Sequence, residues 1–510
     1  MKVIVPYLRK AIPYEYGLWL ILVITFSSMF VSFTVDDAFI SFRYAYNLVH
    51  YGIWNFNPDH EYVEAYTSSL YTFLAILPHW VGISPVVFFK ILGFFLLLRL
   101  IWRLHSLCAD RWTRFVFTFF ILGNVYTYIH IYSCLETPLF MALCVELFAW
   151  LVENKPDPRK FYCLLLLLPL TRPDGGLLSA FALGYYGWRT KAHITHPKFL
   201  ASVITLGVTY FMWRYWYFGY LLPNTFYAKR LEAFTMDSVI IKLAGIVFYL
   251  MAVSTLILWI KERDFRFCAF SVLAIYAVAY LPCASWMNYA DRFAFQLFIP
   301  AIVISAHYVQ HFSGKRRLGV CMVLLPLLLV IDCDREAMSF SHNYSHTNNY
   351  TNVILGEALA EFRPKGYTLM TSDVGALPYY SGWKTYDALG LADVTIARQG
   401  NSITYMQKIQ PDLVLINVNT KDVASLEEHP ERSMLKDFNQ AEIYHYVQSS
   451  GLYQRVSLLT YSESYHYIVF IKKNLPDYVP LQQIAMRVAV ISKQMNSQSS
   501  PLFPGFGYLE

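Results

Sequence analysis

Apolar residues come in long runs through the first two thirds of the chain, with short polar breaks between them. Runs long enough to cross a bilayer, about 17–25 residues, lie at 17–34, 85–107, 113–131, 137–153, 199–216, 238–260, 267–283, 294–311 and 318–333. Each predicts a membrane helix. Residues 66–82 are apolar but follow a polar loop and contain Pro78 and His79, which predicts a juxtamembrane helix. After residue 333 the pattern changes to a soluble α/β one. Tyr367–Ser372 reads as a strand leading into Asp373-Val374-Gly375, and Leu413–Asn417 as a short buried strand. Ser457–Lys472 alternates as a strand or hairpin, and Gly356–Phe362 reads as helix. Residues 494–510, rich in Ser, Gln, Pro and Gly, predict a flexible tail.

One apolar stretch, 160–188, carries Thr171-Arg172-Pro173-Asp174-Gly175 at its middle. It is either one kinked helix or two short crossings, and charge decides. With two crossings and the N-terminus inside, the inside loops 1–16, 99–114, 154–160, 189–198, 261–266 and 312–317 hold 19 Lys and Arg. The outside loops hold Arg43, Arg172, Arg214, Lys229, Arg230 and Arg292. Basic residues gather on the cytoplasmic side of membrane proteins, so two crossings are expected. The fold class that follows is a polytopic α-helical membrane protein of about eleven transmembrane helices with a C-terminal soluble α/β domain. The expected domains are 1–333, with a first outer loop at 35–84, then an extracytoplasmic domain at 334–493 and the tail 494–510.

Composition agrees. Hydrophobic residues are 56% and charged residues 15% of the 510, against roughly 25% charged in an average soluble domain. A disordered chain, a coiled coil, a disulfide scaffold and a nucleic-acid binder are excluded as classes. The net charge of +6 is unevenly spread: residues 334–510 carry −3 and the rest +9. All eight cysteines precede residue 334, so the polar domain has no internal disulfide, and no CxxC or Cys/His spacing suggests a zinc site. Lys2, Arg9 and Lys10 precede the first apolar run with no clear cleavage site after it, which predicts an uncleaved anchor.

The unusual polar clusters all fall on the outer side in this topology: Asp36-Asp37, Glu61 and Glu64, Glu136, Arg172 with Asp174, Asn224 with Lys229 and Arg230, and Asp291-Arg292. Two helices of about 14 residues at 1.5 Å rise reach only about 21 Å, short of the roughly 30 Å hydrocarbon core. The Arg172–Asp174 turn is therefore expected below the outer surface, where ionisable groups mark function. Adjacent carboxylates at a helix end suit general-base work, because burial and a like-charged neighbour raise proton affinity. Plainer roles exist: Glu136 as a helix cap, Lys229-Arg230 as a headgroup contact, and Arg43, Asn47 and His50 as a solvated helical stripe.

The run Asp36-Asp37-Ala38-Phe39-Ile40-Ser41-Phe42-Arg43-Tyr44-Ala45, followed by Phe56-Asn57-Pro58 and Glu64-Ala65-Tyr66-Thr67-Ser68, closely resembles the first outer loop of GT-C glycosyltransferases. Within that class it resembles the family of the mycobacterial terminal arabinofuranosyltransferase and its Gram-negative relatives, including a pilin arabinosyltransferase. Leu135-Glu136-Thr137, Thr171–Gly175, Leu222–Lys229, Asp373–Gly382 and Asp387–Asp393 fit the same pattern. At Ser285-Trp286-Met287 the chain departs from it, since an acidic residue is expected before the tryptophan, and Ser285 is left out of the site.

The resemblance implies a multi-pass enzyme of the bacterial inner membrane, with the C-terminal domain periplasmic and a GT-C fold. It would move a sugar, arabinofuranose by the resemblance, with inversion from a polyprenyl-phosphate donor to a surface glycan or glycoprotein. In that chemistry Asp37, or Asp36, takes the acceptor proton. Glu136 stabilises the developing positive charge. Arg172, Lys229 and Arg292 hold the phosphate; Arg binds it bidentately and Lys as a point charge. Arg43, Glu64, Asp174 and Asn224 would line the site. Asp36, Asp37 and Glu136 could also hold a hard divalent cation, Ca or Mg, through oxygens. The competing classes are a transporter or flippase of a lipid-linked or polar substrate, which a broken helix with buried Arg and Asp also fits, and a structural assembly protein. No nucleic-acid partner is expected.

Overall fold

The 160–188 stretch is a hairpin of two helices, Pro158–Thr171 and Gly175–Arg189, broken at Arg172, in the computed structural model of the chain. Arg172 is extended (φ −150°, ψ 135°), as the residue before a proline prefers. The arms run back on each other: the Tyr162 and Tyr186 rings are 6.1 Å apart, and Leu168, Leu178 and Ala182 are buried in one core with Phe140, Cys144 and Trp150. Gly175 closes the hairpin because a Cβ there would strike the Leu168 carbonyl.

The structure describes residues 14–58, 61–152, 157–189, 195–228, 292–309, 335–424, 426, 430–434, 440–462 and 464–496. The predicted spans 238–260, 267–283 and 318–333, with Lys229, Arg230, Ser285 and Asp291, lie outside these residues. The chain divides into two compact units.

The first unit comprises Met1–Phe33, Val86–Leu206 and Phe234–Ser341, and its described part is helical. Among the described residues one helix, Pro85–Leu107, is by itself long and apolar enough to cross a membrane, with a mean hydropathy of 2.0. It leaves Val87, Ile91, Phe95, Leu98 and Trp102 exposed. A stripe of large apolar side chains at helical spacing facing outward is the reverse of a soluble helix. The apolar run 113–131 is not one helix. Arg111–Gly123 and Val125–Tyr132 meet at a 61° bend, where the Asn124 side chain accepts from the Tyr126 amide at 2.8 Å and starts a new helix.

The second unit comprises Thr34–Pro85, Gly207–Ala233 and His342–Glu510, so the first outer loop folds with the C-terminal residues. The loop forms the helix Ala38–Tyr51, and the predicted juxtamembrane helix breaks into Ser69–Leu74 and Ile76–Trp80. The C-terminal part is α/β, as the sequence pattern predicts. Strands β1 Thr368–Thr371, β2 Lys384–Asp387, β3 Leu413–Asn419, β4 Tyr453–Ser462 and β5 Tyr465–Lys472 make one sheet in the order β2-β1-β3-β5-β4. The first three pair in parallel, and β5 runs antiparallel to β3 and β4. β4 and β5 are the predicted hairpin. Leu369, Leu413, Leu415, Val469 and Ile471 face a core shared with Leu481, Ala485 and Val488 of the helix Tyr478–Asn496. Met370, Val414, Ile416, Ile468 and Phe470 face the other, covered by Ile443 and Val447 of the helix Gln440–Ser449. Burial on both faces explains why Leu413–Ile416 of β3 reads as a continuous apolar run.

A buried carboxylate pair and an arginine cluster as candidate functional sites

The second unit is knitted from the sequence motifs quoted above. Ile40, Tyr44, Trp54, Phe56, Val63, Ala65 and Tyr66 of the first loop share a core with Phe218, Val374, Ala392 and Val394. Asn224, from Leu222–Lys229, donates its side-chain amide to the carbonyls of Gly390 (2.7 Å), Leu391 (3.1 Å) and Asp393 (3.3 Å). Its own amide donates to the Glu64 carbonyl at 2.9 Å. The Glu64 carboxylate is buried and paired with Arg214, whose Nε donates at 2.7 and 2.8 Å and whose Nη2 stands at 2.6 Å. Burial raises the proton affinity of Glu64, and the Arg214 pairing opposes that. Glu64 and Asn224 thus fasten segments together.

Arg43 does the same. It is buried, its Nε donates to the Phe56 carbonyl at 2.7 Å, and Nη1 donates to the Pro378 carbonyl. Nη2 donates to Asn57 Oδ1 at 3.0 Å and to the Trp383 carbonyl at 2.7 Å. Asn47 is buried beside it, donating to the carbonyls of Asn55 and Phe56. The solvated stripe expected at Arg43, Asn47 and His50 is therefore corrected: of the three, His50 alone is exposed. The helix uses this face to grip backbone carbonyls of distant segments.

The aspartate pair divides sharply. Asp36 is buried, and its carboxylate oxygens accept from the amides of Gly375 and Ala376, both at 2.9 Å. Its own amide donates to the Tyr344 hydroxyl at 3.1 Å. Asp37 begins the helix Ala38–Tyr51, is exposed, and makes no side-chain capping bond. A third carboxylate, Asp373, stands two residues before Gly375 and accepts from the hydroxyls of Tyr465 (3.1 Å) and Tyr467. The Tyr461 ring lies against those of Tyr344, Tyr465 and Tyr467, at 6.1, 5.4 and 6.0 Å. Burial, then the charge of Asp373, pushes the Asp36 carboxyl up to about 7, with the Ala376 amide opposing. Asp373 is likewise raised, first by burial, with Asp37 adding to it. Asp373 belongs to the Asp373–Gly382 motif but not to the expected site; its sequence signal is an aspartate closing a predicted strand two residues before a glycine.

In the first unit, Glu136 follows a backbone kink. Cys134 adopts a left-handed conformation (φ 59°), uncommon outside glycine. The Ser133 hydroxyl accepts from the Leu135 amide at 3.3 Å. The Glu136 carboxylate then receives Arg172 at 2.6 Å and Arg292 at 3.2 Å on the same oxygen. Arg172 Nε also donates to Asp174 at 3.2 Å. The first unit thus brings Glu136, Arg172, Asp174 and Arg292 together, and the predicted turn is a charged cluster. Glu136 does more than cap a helix. Next to it, the Thr137 hydroxyl is buried with no hydrogen-bond partner among the described residues; so are both polar ends of Gln296, one turn beyond Arg292. Lys229 lies outside the described residues.

Among the described residues no three His, Cys, Asp or Glu side chains gather where a metal ion could sit. The two Asp36 oxygens are engaged by amides and one Glu136 oxygen by two arginines.

Residues 342–482 match the family model described as a domain of unknown function, DUF8728. No curated protein matches the chain. Crystal structures of ArnT from Cupriavidus metallidurans are similar to it, with 11% identity and a TM-score of 0.49 in both states. The apo structure covers 90% of this chain and 98% of its own. The structure bound to undecaprenyl phosphate covers 89% and 97%. A cryo-EM structure of the arabinofuranosyltransferase AftD from Mycobacteria is similar at 12% identity and a TM-score of 0.45, covering 91% of this chain and 42% of its own.

Proposed function

We propose that the chain is an inverting membrane glycosyltransferase of the GT-C kind. It moves a sugar from a polyprenyl-phosphate donor to a hydroxyl of a surface glycan or glycoprotein on the periplasmic side of the inner membrane. Arabinofuranose is the sugar the family resemblance implies. The observation that carries the reading is the contrast at the aspartate pair: Asp36 is committed to backbone amides, while Asp37 is exposed and makes no side-chain capping bond.

The acceptor oxygen attacks the anomeric carbon, the bond from that carbon to the phosphate oxygen breaks, and polyprenyl phosphate leaves with the electron pair. The acceptor proton passes to the Asp37 carboxylate. Such a base contributes roughly 10²–10⁴-fold. The departing phosphate needs fixed cations, a role for Arg172, Arg292 and Lys229. Arg172 and Arg292 are held in place by Glu136 before any ligand arrives. Glu136 supplies negative charge as the anomeric carbon becomes oxocarbenium-like.

Mass spectrometry of surface glycans and lipid-linked sugars in a strain lacking the chain tests this function. The expected result is loss of one sugar type from a surface glycan or glycoprotein, with accumulation of the matching polyprenyl-phosphate sugar. Unchanged glycans with a mislocalised lipid-linked sugar would instead identify a flippase.

A further inference from the structure

The sheet of the second unit has a point where the chain reverses its direction of travel. From β1 it moves to β2 on one side, then crosses to β3 on the other. The two connections lie on opposite faces. Leu377 of the first packs in one core, and Ile396 and Met406 of the second pack in the other. In open α/β sheets ligands bind beyond the carboxyl ends of the strands at such a reversal. Here those ends carry Asp373, two residues past β1, and Asn417, near the end of β3.

Buried acceptors stand unused at this point. Leu413 and Leu415 of β3 face the core that holds Tyr467, so Asn417 lies on the same face, and it pairs across the sheet with Tyr467. The Tyr467 hydroxyl donates to Asp373 and accepts from the Asn352 side-chain amide at 3.5 Å. Asn352 sits in a π-helical turn, Asn349–Val353, a feature frequent at functional sites. Asn352 and Asn417 are 1% and 2% exposed, and neither side-chain oxygen has a partner among the described residues. Leaving a buried acceptor unmade is unfavourable. On the open side, Asp37 is exposed and Tyr465 partly so. The grip of Asp36 on the amides of Gly375 and Ala376 brings Asp37 to this strand end, close enough for its charge to act on both Asp36 and Asp373.

We infer that this strand end binds the acceptor sugar, whose hydroxyls donate to the Asn352 and Asn417 side-chain oxygens and bring a further hydroxyl to Asp37. That the sugar is the acceptor rests on the transferase reading; the chemistry of the ligand rests on the site. Asp36 already accepts two amides, and Asp373 accepts from Tyr465 and Tyr467. The open acceptors are therefore neutral amide oxygens, which suit neutral O–H donors. An anion would meet the three carboxylates and be repelled.

Fluorescence anisotropy tests the site. The probe is the labelled oligosaccharide released from the surface of a strain lacking the chain, added to the full-length chain in a sugar-free detergent with EDTA. Asn417→Leu and Asn352→Leu should each bind it roughly two- to tenfold more weakly, as loss of one uncharged hydrogen bond does. Affinity for polyprenyl phosphate should be unchanged in both. Asn417→Leu should also keep the wild-type melting point, since the unpartnered oxygen it removes stabilises nothing. In the wild type the oligosaccharide should slow hydrogen exchange at residues 372–376 and 417–420, a measurement that needs no variant to fold. No binding by the wild type, wild-type affinity in both variants, or unchanged exchange at both segments would overturn the site. Binding as expected by a wild type that transfers no sugar would defeat the transferase reading and leave the sugar site standing.

Discussion

The carboxylate of Asp36 sits against the backbone of Gly375, accepting that residue's amide at 2.9 Å. A Cβ at position 375 would overlap both the Asp36 backbone oxygen and its carboxylate. Gly375 is therefore required for the close approach. Gly375→Ala should displace Asp36 and lower the unfolding midpoint of the full chain by several degrees. Asp36→Asn should do the same, because its NH₂ would face a backbone N–H, and a lost buried bond to a charged group costs about 1.5–3 kcal/mol. Activity and stability should fall together in both variants, as circular dichroism melts in detergent would record.

Arg43 should likewise act through the fold. Its guanidinium donates to carbonyls at Phe56, Pro378 and Trp383, and Arg43→Ala removes all of these bonds at once. A hydrogen bond from a charged group contributes about 1.5–3 kcal/mol, so the variant should be recovered poorly or melt well below the wild type. Arg43→Lys should restore only part, since a point charge cannot match the fork. A fully stable Arg43→Ala with weakened donor affinity would instead return Arg43 to the ligand site.

Stability should depend on pH with a definite sign. The Asp36 carboxyl is raised from 3.8 to about 7, and that of Asp387, buried in its turn, also to about 7. Between pH 4 and 7 the folded state then binds more protons than the unfolded chain, so these groups make stability fall as pH rises through that window. Asp373→Asn removes a charge that raises Asp36 and should flatten the slope. Thermal melts at pH 5 and pH 8 measure it; an unchanged slope in Asp373→Asn would show that Asp373 exerts no field on Asp36.

Gln296 presents the opposite case. Neither end of its buried amide is bonded among the described residues, which costs about 1–3 kcal/mol. Gln296→Leu should raise the melting point of the ligand-free protein. The same change should weaken binding of undecaprenyl phosphate, measured by native mass spectrometry, because Gln296 lies one turn from Arg292 in the cluster assigned to phosphate. A destabilised Gln296→Leu would mean that the amide already has a partner.

Much of this was legible in the sequence because the signals were local. Leu413–Ile416 of the parallel strand β3 is a continuous apolar run, and the hairpin at 160–188 is marked by Arg172-Pro173-Asp174-Gly175. The bend at Asn124 was hidden inside an apolar run whose hydropathy says nothing of direction. What the sequence could not give were pairings across long separations. Arg43 meets Pro378 across 335 residues, and Asp373 meets Tyr465 across 92. Neighbouring aspartates looked equivalent as text. At the start of a helix consecutive side chains point in different directions, so one is buried against an amide pair and the other faces solvent.

The central claim is that Asp37 accepts the acceptor's proton. Transfer from a synthetic polyprenyl-phosphate arabinofuranose to an acceptor glycan, by purified wild type and Asp37→Asn, tests it most directly. Asp37 is exposed and makes no side-chain cap, so the variant should keep the wild-type melting point and donor affinity. Its transfer rate should fall by roughly 10²–10⁴-fold. An Asp37→Asn protein that transfers sugar at a near-normal rate would contradict the account.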